Sequence, residues 1–590
     1  MTGACWRRQS LRRSWTLFRE WPQRCTLPCR GRRQKSQDVR ERAVKPNPRE
    51  GPCNTSGNAS ETASVSDAGA AAEFSAARQV ERQGELALLG GGFARIRHQH
   101  RSGKLTARER LHILLDRGSF QELDRLVRSR DSPAAQGRTT ARGSHVPGDG
   151  VVTGHGFVHG RTVFVYSQDF TVAGGSLSEA NAGKICKVMD LAIQAGAPLI
   201  GICDSGGARI QEGVRSLAGY AEVFKRNVLA SGFIPQLSLI LGPCAGGAVY
   251  SPALTDFVLM NRQHAHMFVT GPEVTSAALG ERATRDELGG AAIHCRVSGV
   301  AHLAGDDDIA VIQLAKELLS YLPQSAGVSV PRTCTDDPRD REDPVLNRLV
   351  PADPHIPYDM HHVLERLVDR EEFLEIQPDF APNMITAFGR VDGHSVAVIA
   401  NQPQQLSGCI DIDAAVKASR FVRFADAFGL PIITLVDVPG FLPGTQQEHG
   451  GIIRHGAKLL YAYTEATVPK LTVIIRKAYG GAYCVMASKQ LRGDLNAVWP
   501  NAQIAVMGAA AATQILHRNA SEETSETQRR AYARDYLHAL TALERGYVDC
   551  VVQPHKTRLW LANGLMLLQH KQREALREPW PPKKHDNMPL

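Results

Sequence analysis

A chain of 590 residues is too long for one ordinary hydrophobic core and implies two domains of roughly 200 to 250 residues with extensions. Its 43% hydrophobic and 22% charged residues are typical of a globular protein, and no stretch approaches the roughly 18 uninterrupted apolar residues of a membrane span. The formal charge of +9 belongs to the first 50 residues, where twelve Arg and two Lys face only Glu20, Asp38, Glu41 and Glu50. The remaining chain is close to neutral and offers no electrostatic footprint for nucleic acid.

The opening segment, residues 1–36, interleaves Arg with Trp, Leu and Phe and lacks the apolar core of a secretory signal. It resembles a mitochondrial transit peptide, which makes the matrix the expected compartment. Cys25 and Cys29 stand four apart, but no second pair follows at a zinc-binding spacing, so no metal site is expected. The twelve scattered cysteines fit a reducing compartment. Residues 37–76, with "CNTSGNASETASVSDAGAAA", are too polar and small to bury a core and read as a linker. Helical periodicity starts near Ala77 and runs through "ERQGELALLG" and "GKLTARERLHILLD"; the "LGGG" between them reads as a turn, because it neither follows a strand nor fits a nucleotide fingerprint.

Beyond Gly150, short β-rich runs alternate with longer helical stretches, the pattern of a layered α/β fold. The pattern occurs twice. "GAPLIGICDSGGARIQEG" (196–213) and "GLPIITLVDVPGFLPGTQQE" (429–448) are each a strand ending in Asp and a small-residue loop. An amphipathic stretch follows each, then another strand and a glycine pair, "LSLILGPCAGGAVYSPA" and "LTVIIRKAYGGAYCVMA". Gly246 lies 42 positions beyond Asp204, and Gly480 lies 43 beyond Asp437. The Asp- and Pro-rich segment 331–354 separates the halves, giving expected domains at 77–335 and 336–590.

A strand, a small-residue loop and a helix in succession present uncovered backbone N–H groups at a helix N-terminus, where the helix dipole favours negative charge. Without side chains in the way, a substrate oxygen can approach to hydrogen-bonding distance. For a single loop, close strand–helix packing explains the glycines as well. Four such loops in two matched pairs point instead to two oxyanion sites, where each preorganised donor is worth about 3 to 4 kcal/mol. Two sites fit a reaction that generates two oxyanions: the enolate of an acyl-CoA that has lost its α-proton, and the ureido oxygen of a biotin that gives up its carboxyl group. No nucleophile–histidine arrangement or P-loop stands at a suggestive position.

These residues bring out a family likeness. "GKLTARER" (103–110), "SQDFTVAGGSLSEANAGKI" (167–185), "DSGGARIQEGV" (204–214), "GPCAGGAVYSPALTD" (242–256), "DVPGFLPGTQQEHGGIIRHGAKLLYAY" (437–463), "RKAYGGAY" (476–483) and the tail "PPKKHDNMPL" resemble the biotin-dependent acyl-CoA carboxyltransferases from about residue 80 to the end. The resemblance implies two tandem crotonase-fold domains, assembled as a homo-hexamer with active sites between subunits. It makes the N–H groups of Gly206 and Gly207 the donors to the acyl-CoA enolate, and those of Gly481 and Ala482 the donors to the biotin ureido oxygen. Gly246, Gly247, Gly480 and Tyr483 then line the substrate sites, and an acyl-CoA-binding stretch falls around 370–403. The leaving biotin is itself the implied base. The chain has no biotinylation site of the "AMKM" type and no ATP-grasp loop. Biotin, and the ATP- and bicarbonate-using step, must therefore come from a biotin carboxylase and carrier (alpha) subunit.

Two positions depart from the family pattern. Cys484 stands where propionyl-preferring relatives carry Asp, a position that resembles the acyl-chain discriminator. No His or Lys accompanies it to activate a thiolate, so it reads as a pocket wall rather than a nucleophile. As a small hydrophobe it leaves both propionyl-CoA and acetyl-CoA open as substrates. Ala173 replaces a large aromatic before "GGSLS". Methylcrotonyl-CoA carboxylases are one alternative, but they carry Asn after "SGGA", where this chain has Arg209. The other is a non-catalytic scaffold of the carboxylase complex, which would not need open oxyanion loops.

Overall fold

The computed structural model describes residues 76–129, 146–517 and 522–571. The expected transit peptide and linker lie outside the described residues, apart from residue 76. Helices span 76–88, Phe93–Arg101 and Ala107–Leu114. "LGGG" is the turn between the first two, pressed so closely on Asp169 and Thr171 that a Cβ on Gly91 would lie 2.0 Å from the Thr171 carbonyl oxygen.

The first sheet comprises β1 (Gln121–Leu123), β2 (Val151–Val158), β3 (Arg161–Gln168), β4 (Leu199–Ser205), β5 (Gln236–Ala245), β6 (Phe257–Asn261), β7 (His266–Phe268) and β8 (Leu303–Gly305). The second comprises β9 (Phe373–Ile376), β10 (Met384–Val391), β11 (His394–Asn401), β12 (Ile432–Val438), β13 (Lys470–Tyr479), β14 (Leu495–Val498), β15 (Gln503–Ala505) and β16 (Cys550–Val551). Their orders are β1-β2-β3-β4-β5-β6-β8 and β9-β10-β11-β12-β13-β14-β16, with β7 beside β5 and β15 beside β13. The first three strands of each are antiparallel and all later pairings are parallel. One topology is therefore used twice. The match reaches single side chains: Lys184 and Lys417, each six residues beyond an N-cap (Ser178 or Asp411), bury their ammonium groups on backbone carbonyls of Gly148 and Val151 or of Gln377 and Phe380. Burial holds both down at about 8.

Strand alternation sorts side chains onto two faces. Phe164, Tyr166, Leu199 and Cys203 point to a core shared with helices Glu179–Ala195 and Val214–Ala230, whereas Val163, Val165, Ile200 and Ile202 point to a second core. That second core also receives helices Ala107–Leu114, Asp308–Tyr321, Ile412–Ala427 and Ile452–Glu465 and one face of the second sheet. The other face of that sheet packs on helices Met360–Leu367 and Thr557–Leu568. The halves are thus stacked in the same sense, helix–sheet–helix–sheet–helix. A cluster of rings joins them: Phe257 of β6 lies 4.7 Å from Phe424 and 5.9 Å from Phe388 of β10.

Candidate active site

In open α/β sheets, ligands bind beyond the carboxyl ends of the parallel strands. At that edge β4 and β12 each carry a register shift, one at Asp204 and the other at Asp437. Both aspartates are fully buried, so their charges require partners. Asp204 accepts from Lys104 Nζ at 2.7 Å, Arg110 Nη1 at 2.9 Å and Gln99 Nε2 at 3.3 Å, and Arg110 continues to Asp308 at 2.9 Å. Burial holds the Lys104 ammonium below the usual lysine range against the pull of Asp204. Asp437 accepts from Arg476 Nε at 2.9 Å and from the Lys477 amide at 3.1 Å, and Arg476 also donates to the carbonyls of Asp353 and Ile356. Each loop therefore leaves its strand from a charge-locked anchor.

The two loops are held by matching bonds. Leu177 N–H donates to Gly207 O at 2.9 Å and Arg209 N–H to Leu177 O at 2.9 Å; Ile410 N–H donates to Gly440 O at 3.1 Å and Leu442 N–H to Ile410 O at 2.8 Å. Gly175 and Gly408 have positive φ and sit so close to the anchors that a Cβ would lie 2.1 Å from Asp204 O and 2.6 Å from Asp437 O. By this correspondence Gly206 and Gly207 match Pro439 and Gly440, so the second domain has no amide at the place of Gly206.

Gly206 N–H donates to Gly174 O at 2.9 Å, and Gly207 N–H to Ser205 Oγ at 3.1 Å. Both donors singled out from the sequence are thus turned onto internal acceptors. Gly206 itself is exposed, at negative φ, and a Cβ there would meet nothing nearer than 3.7 Å.

Beyond β5 and β13 the backbone turns into short helices, Gly246–Val249 and Gly480–Val485. Gly246 (φ 65°) and Gly480 (φ 59°) make the turn in the left-handed region. Gly247 and Ala248 then match Gly481 and Ala482, in first turns whose amides have no acceptor inside the helix. Gly481 is exposed, and a Cβ there would lie 3.9 Å from the Phe441 ring. Neither backbone conformation nor packing within the chain demands glycine at 206 or 481.

Tyr483 is half-buried, its hydroxyl on Gln490 at 3.1 Å, and burial pushes it up to about 12. Cys484 is exposed at the place of Tyr250 in the first domain, and among the described residues no His or Lys hydrogen bonds with its thiol. Ala173 takes φ 48°, as does its counterpart Leu406, so this left-handed position carries a side chain in both domains. Much of 370–403 is strand, and it reaches the ligand edge twice, at the start of β10, where Met384 pairs with Asn401, and at the end of β11. Among the described residues no cluster of three or more His, Cys, Asp or Glu is arranged to hold a metal ion.

Sequence reading marked Asp204 and Asp437 only as strand ends. Their shared position in both halves was the available signal for anchors. It also missed the clamp on the first loop, where Arg209 reaches Asp149 at 2.7 Å, Glu212 at 3.3 Å and the Ser176 carbonyl, while Ser178 bonds Asp149.

The model of the carboxyl transferase domain matches residues 98–588. The chain belongs to that family. It is 54% identical over 516 residues to the propionyl-CoA carboxylase beta chain of Cereibacter sphaeroides, covering 87% of this chain and 99% of that one. It is 52% identical over 512 residues to the mitochondrial propionyl-CoA carboxylase beta chain of Homo sapiens, covering 87% and 93%. Among solved structures, the transcarboxylase 12S hexameric core with methylmalonyl-CoA bound superposes with a TM-score of 0.83 at 45% identity, over 87% of this chain and 98% of that one. The twice-used α/β architecture is the carboxyl transferase fold. Among the described residues of this carboxyl transferase no helix is long and apolar enough to cross a membrane.

Proposed function

We propose that this chain is the carboxyltransferase beta subunit of a biotin-dependent acyl-CoA carboxylase, acting on propionyl-CoA, acetyl-CoA or both. The observation that carries the reading is the pair of exposed glycines, Gly206 and Gly481, each at the ligand edge of its sheet with no structural need to be glycine. Partner-borne carboxybiotin supplies the carboxyl group. The first-domain loop, with Gly246 and Gly247 beside it, would receive the thioester oxygen as the α carbon passes its proton to the biotin ureido group that has released the carboxyl group; Gly206 and Gly207 exchange their internal acceptors for that oxygen. In the second domain the amides of Gly481 and Ala482, with Gly480 and Tyr483 around them, hold the ureido oxygen on which charge gathers as the carboxyl group leaves. The open space above Gly481 fits a planar urea edge approaching the amides.

The ATP- and bicarbonate-using step belongs to the partner alpha subunit. The hexameric core of transcarboxylase 12S supports a similar assembly here. The Arg-rich leader and the mitochondrial human relative support the matrix as the site of action.

The test runs the reaction in reverse, from malonyl-CoA or methylmalonyl-CoA to a free biotin derivative, with the purified chain and with Cys484→Asp. Transfer from either thioester is expected. A clear preference for methylmalonyl-CoA in the parent makes it a propionyl-CoA enzyme. Equal or better use of malonyl-CoA, reversed by Asp, makes Cys484 the acyl-chain selector, with roughly 10- to 200-fold at stake for one methylene. No turnover of either would leave only a scaffold role.

A further inference from the structure

The first-domain loop rests on two buried hydroxyl groups. Gly207 N–H is held by Ser205 Oγ at 3.1 Å, and Ser205 is fully buried at the end of β4. Tyr220, on helix Val214–Ala230, is 5% exposed, and its hydroxyl is buried without a hydrogen-bond partner. Its ring stacks on Phe224 with centroids 5.8 Å apart and packs against the neighbouring glycine pair, where a Cβ on Gly247 would lie 3.4 Å from it. Ser205 is the hydrogen-bonding side chain within reach of that hydroxyl, and the thiols of Cys203 and Cys244 stand nearby. Burial pushes the phenol up, so it stays an O–H donor at working pH.

The second domain has neither hydroxyl. The correspondence that sets Gly206 and Gly207 on Pro439 and Gly440 sets Ser205 on Val438, and the ring nearest Gly481 is that of Phe441. The pair therefore belongs to the domain assigned to the thioester oxygen, and the packing common to both halves does not account for it. Release of the two amides in that domain has unequal costs. Gly206 would leave the carbonyl of Gly174, a half-buried residue open to water. Gly207 would leave Ser205 Oγ, which is closed to water. A polar atom buried without a partner costs a factor of roughly 5 to 100 in an equilibrium.

We propose that Tyr220 is a positioning residue for the first oxyanion site, its hydroxyl donating to Ser205 Oγ as Gly207 N–H turns to the thioester oxygen. At rest Ser205 holds the amide and the Tyr220 hydroxyl is unpaired. With the enolate bound, the amide serves the oxygen and the two hydroxyl groups serve each other. The inference rests on the assignment of the enolate to this loop.

Tyr220→Phe and Ser205→Ala, singly and combined, test it in the reverse assay with malonyl-CoA or methylmalonyl-CoA, alongside thermal unfolding of each chain. Tyr220→Phe should lower kcat by about 5- to 100-fold with KM changed by less than about threefold. Its Tm should hold or rise, because the hydroxyl removed has no partner at rest. In the Ser205→Ala background Gly207 N–H has no internal acceptor to leave, so the same tyrosine change should alter kcat by less than about twofold. An undiminished kcat in Tyr220→Phe, or an equal fall in both backgrounds, would overturn the proposal. So would a lowered Tm in Tyr220→Phe, which would mean that the hydroxyl is already bonded at rest. If Ser205→Ala does not fold, Tyr220→Phe alone decides, by a fall in kcat at level Tm. An inactive parent is a distinct failure: it removes the enolate from this loop, and the inference goes with it.

Discussion

At residue 481 glycine serves neither conformation nor packing. Its φ is negative, its surroundings are open, and alanine there would raise local helix propensity. Gly481→Ala therefore separates function from stability. The melting temperature should stay level or rise slightly, because a Gly-to-Ala change at a compatible site restricts the unfolded chain. The added methyl crowds the oxygen that the amides are to receive, so kcat/KM for carboxyl transfer should fall by about 100-fold, comparable to loss of an oxyanion donor. Thermal unfolding and the reverse assay on the same preparation check both halves of the prediction. Equal loss of stability and activity would return Gly481 to an ordinary packing role. Gly480 contrasts with it: φ is 59° and a Cβ would lie 3.2 Å from the Val506 carbonyl oxygen, so any substitution there costs stability as well as activity.

Single elements are set by their caps and by charges brought from elsewhere. Helix Met360–Leu367 begins on Asp359, whose carboxylate accepts from the His361 amide at 2.9 Å; the His361 ring bridges Asp359 at 2.7 Å and Glu375 of β9 at 3.0 Å. The hydrogen bond to Glu375 is the largest cause that holds the imidazole up at about 9, with burial opposing it and Asp359 adding to it. A folded-state value above the unfolded one means that the native state holds the extra proton. The contribution is complete below pH 6.5 and disappears as pH rises through 9. In urea titrations the parent should lose stability relative to His361→Gln across that window and keep a constant advantage below it; parallel curves would refute the charged bridge. The same distinction between local and remote causes explains what was legible beforehand. β4, β12 and the helices Val214–Ala230 and Ile452–Glu465 were visible because β-branched runs and helical periodicity are local, and the duplication because Asp-to-glycine spacing survives in both halves. The bonds that occupy Gly206 and Gly207 come from Gly174 and Ser205, and the Asp204 anchor uses Lys104, a hundred positions away. Such partners leave no periodic trace.

For the whole molecule, stacking the two halves in the same sense makes the central core common property. Phe388, fully buried on β10, contacts Phe421 at 4.9 Å within its own domain and Phe257 and Tyr321 of the other at 5.9 and 6.1 Å. If that core couples the domains, they unfold together. The chain has six tryptophans, of which Trp499 and Trp560 are the only ones among the described residues, and both belong to the second half. In a parent whose Trp6, Trp15, Trp21 and Trp580 are replaced by Phe, fluorescence reports that half while far-UV circular dichroism reports both. At one fixed protein concentration, since assembly shifts apparent stability, the two signals should share a urea midpoint in the parent. Phe388→Ala removes a buried ring and should cost about 3 to 5 kcal/mol. With a shared core, both midpoints move down together. With independent domains, the fluorescence midpoint alone would fall and the dichroism curve would divide into two steps. The ring pairs between Phe257, Phe388 and Phe424 add roughly 0.5 to 1.5 kcal/mol each beyond area burial, and they sit where the first sheet meets the helices of the second domain. Cooperative unfolding would therefore mean that the two glycine loops, at the ligand edges of different sheets, are held by one folding unit and lost at one threshold.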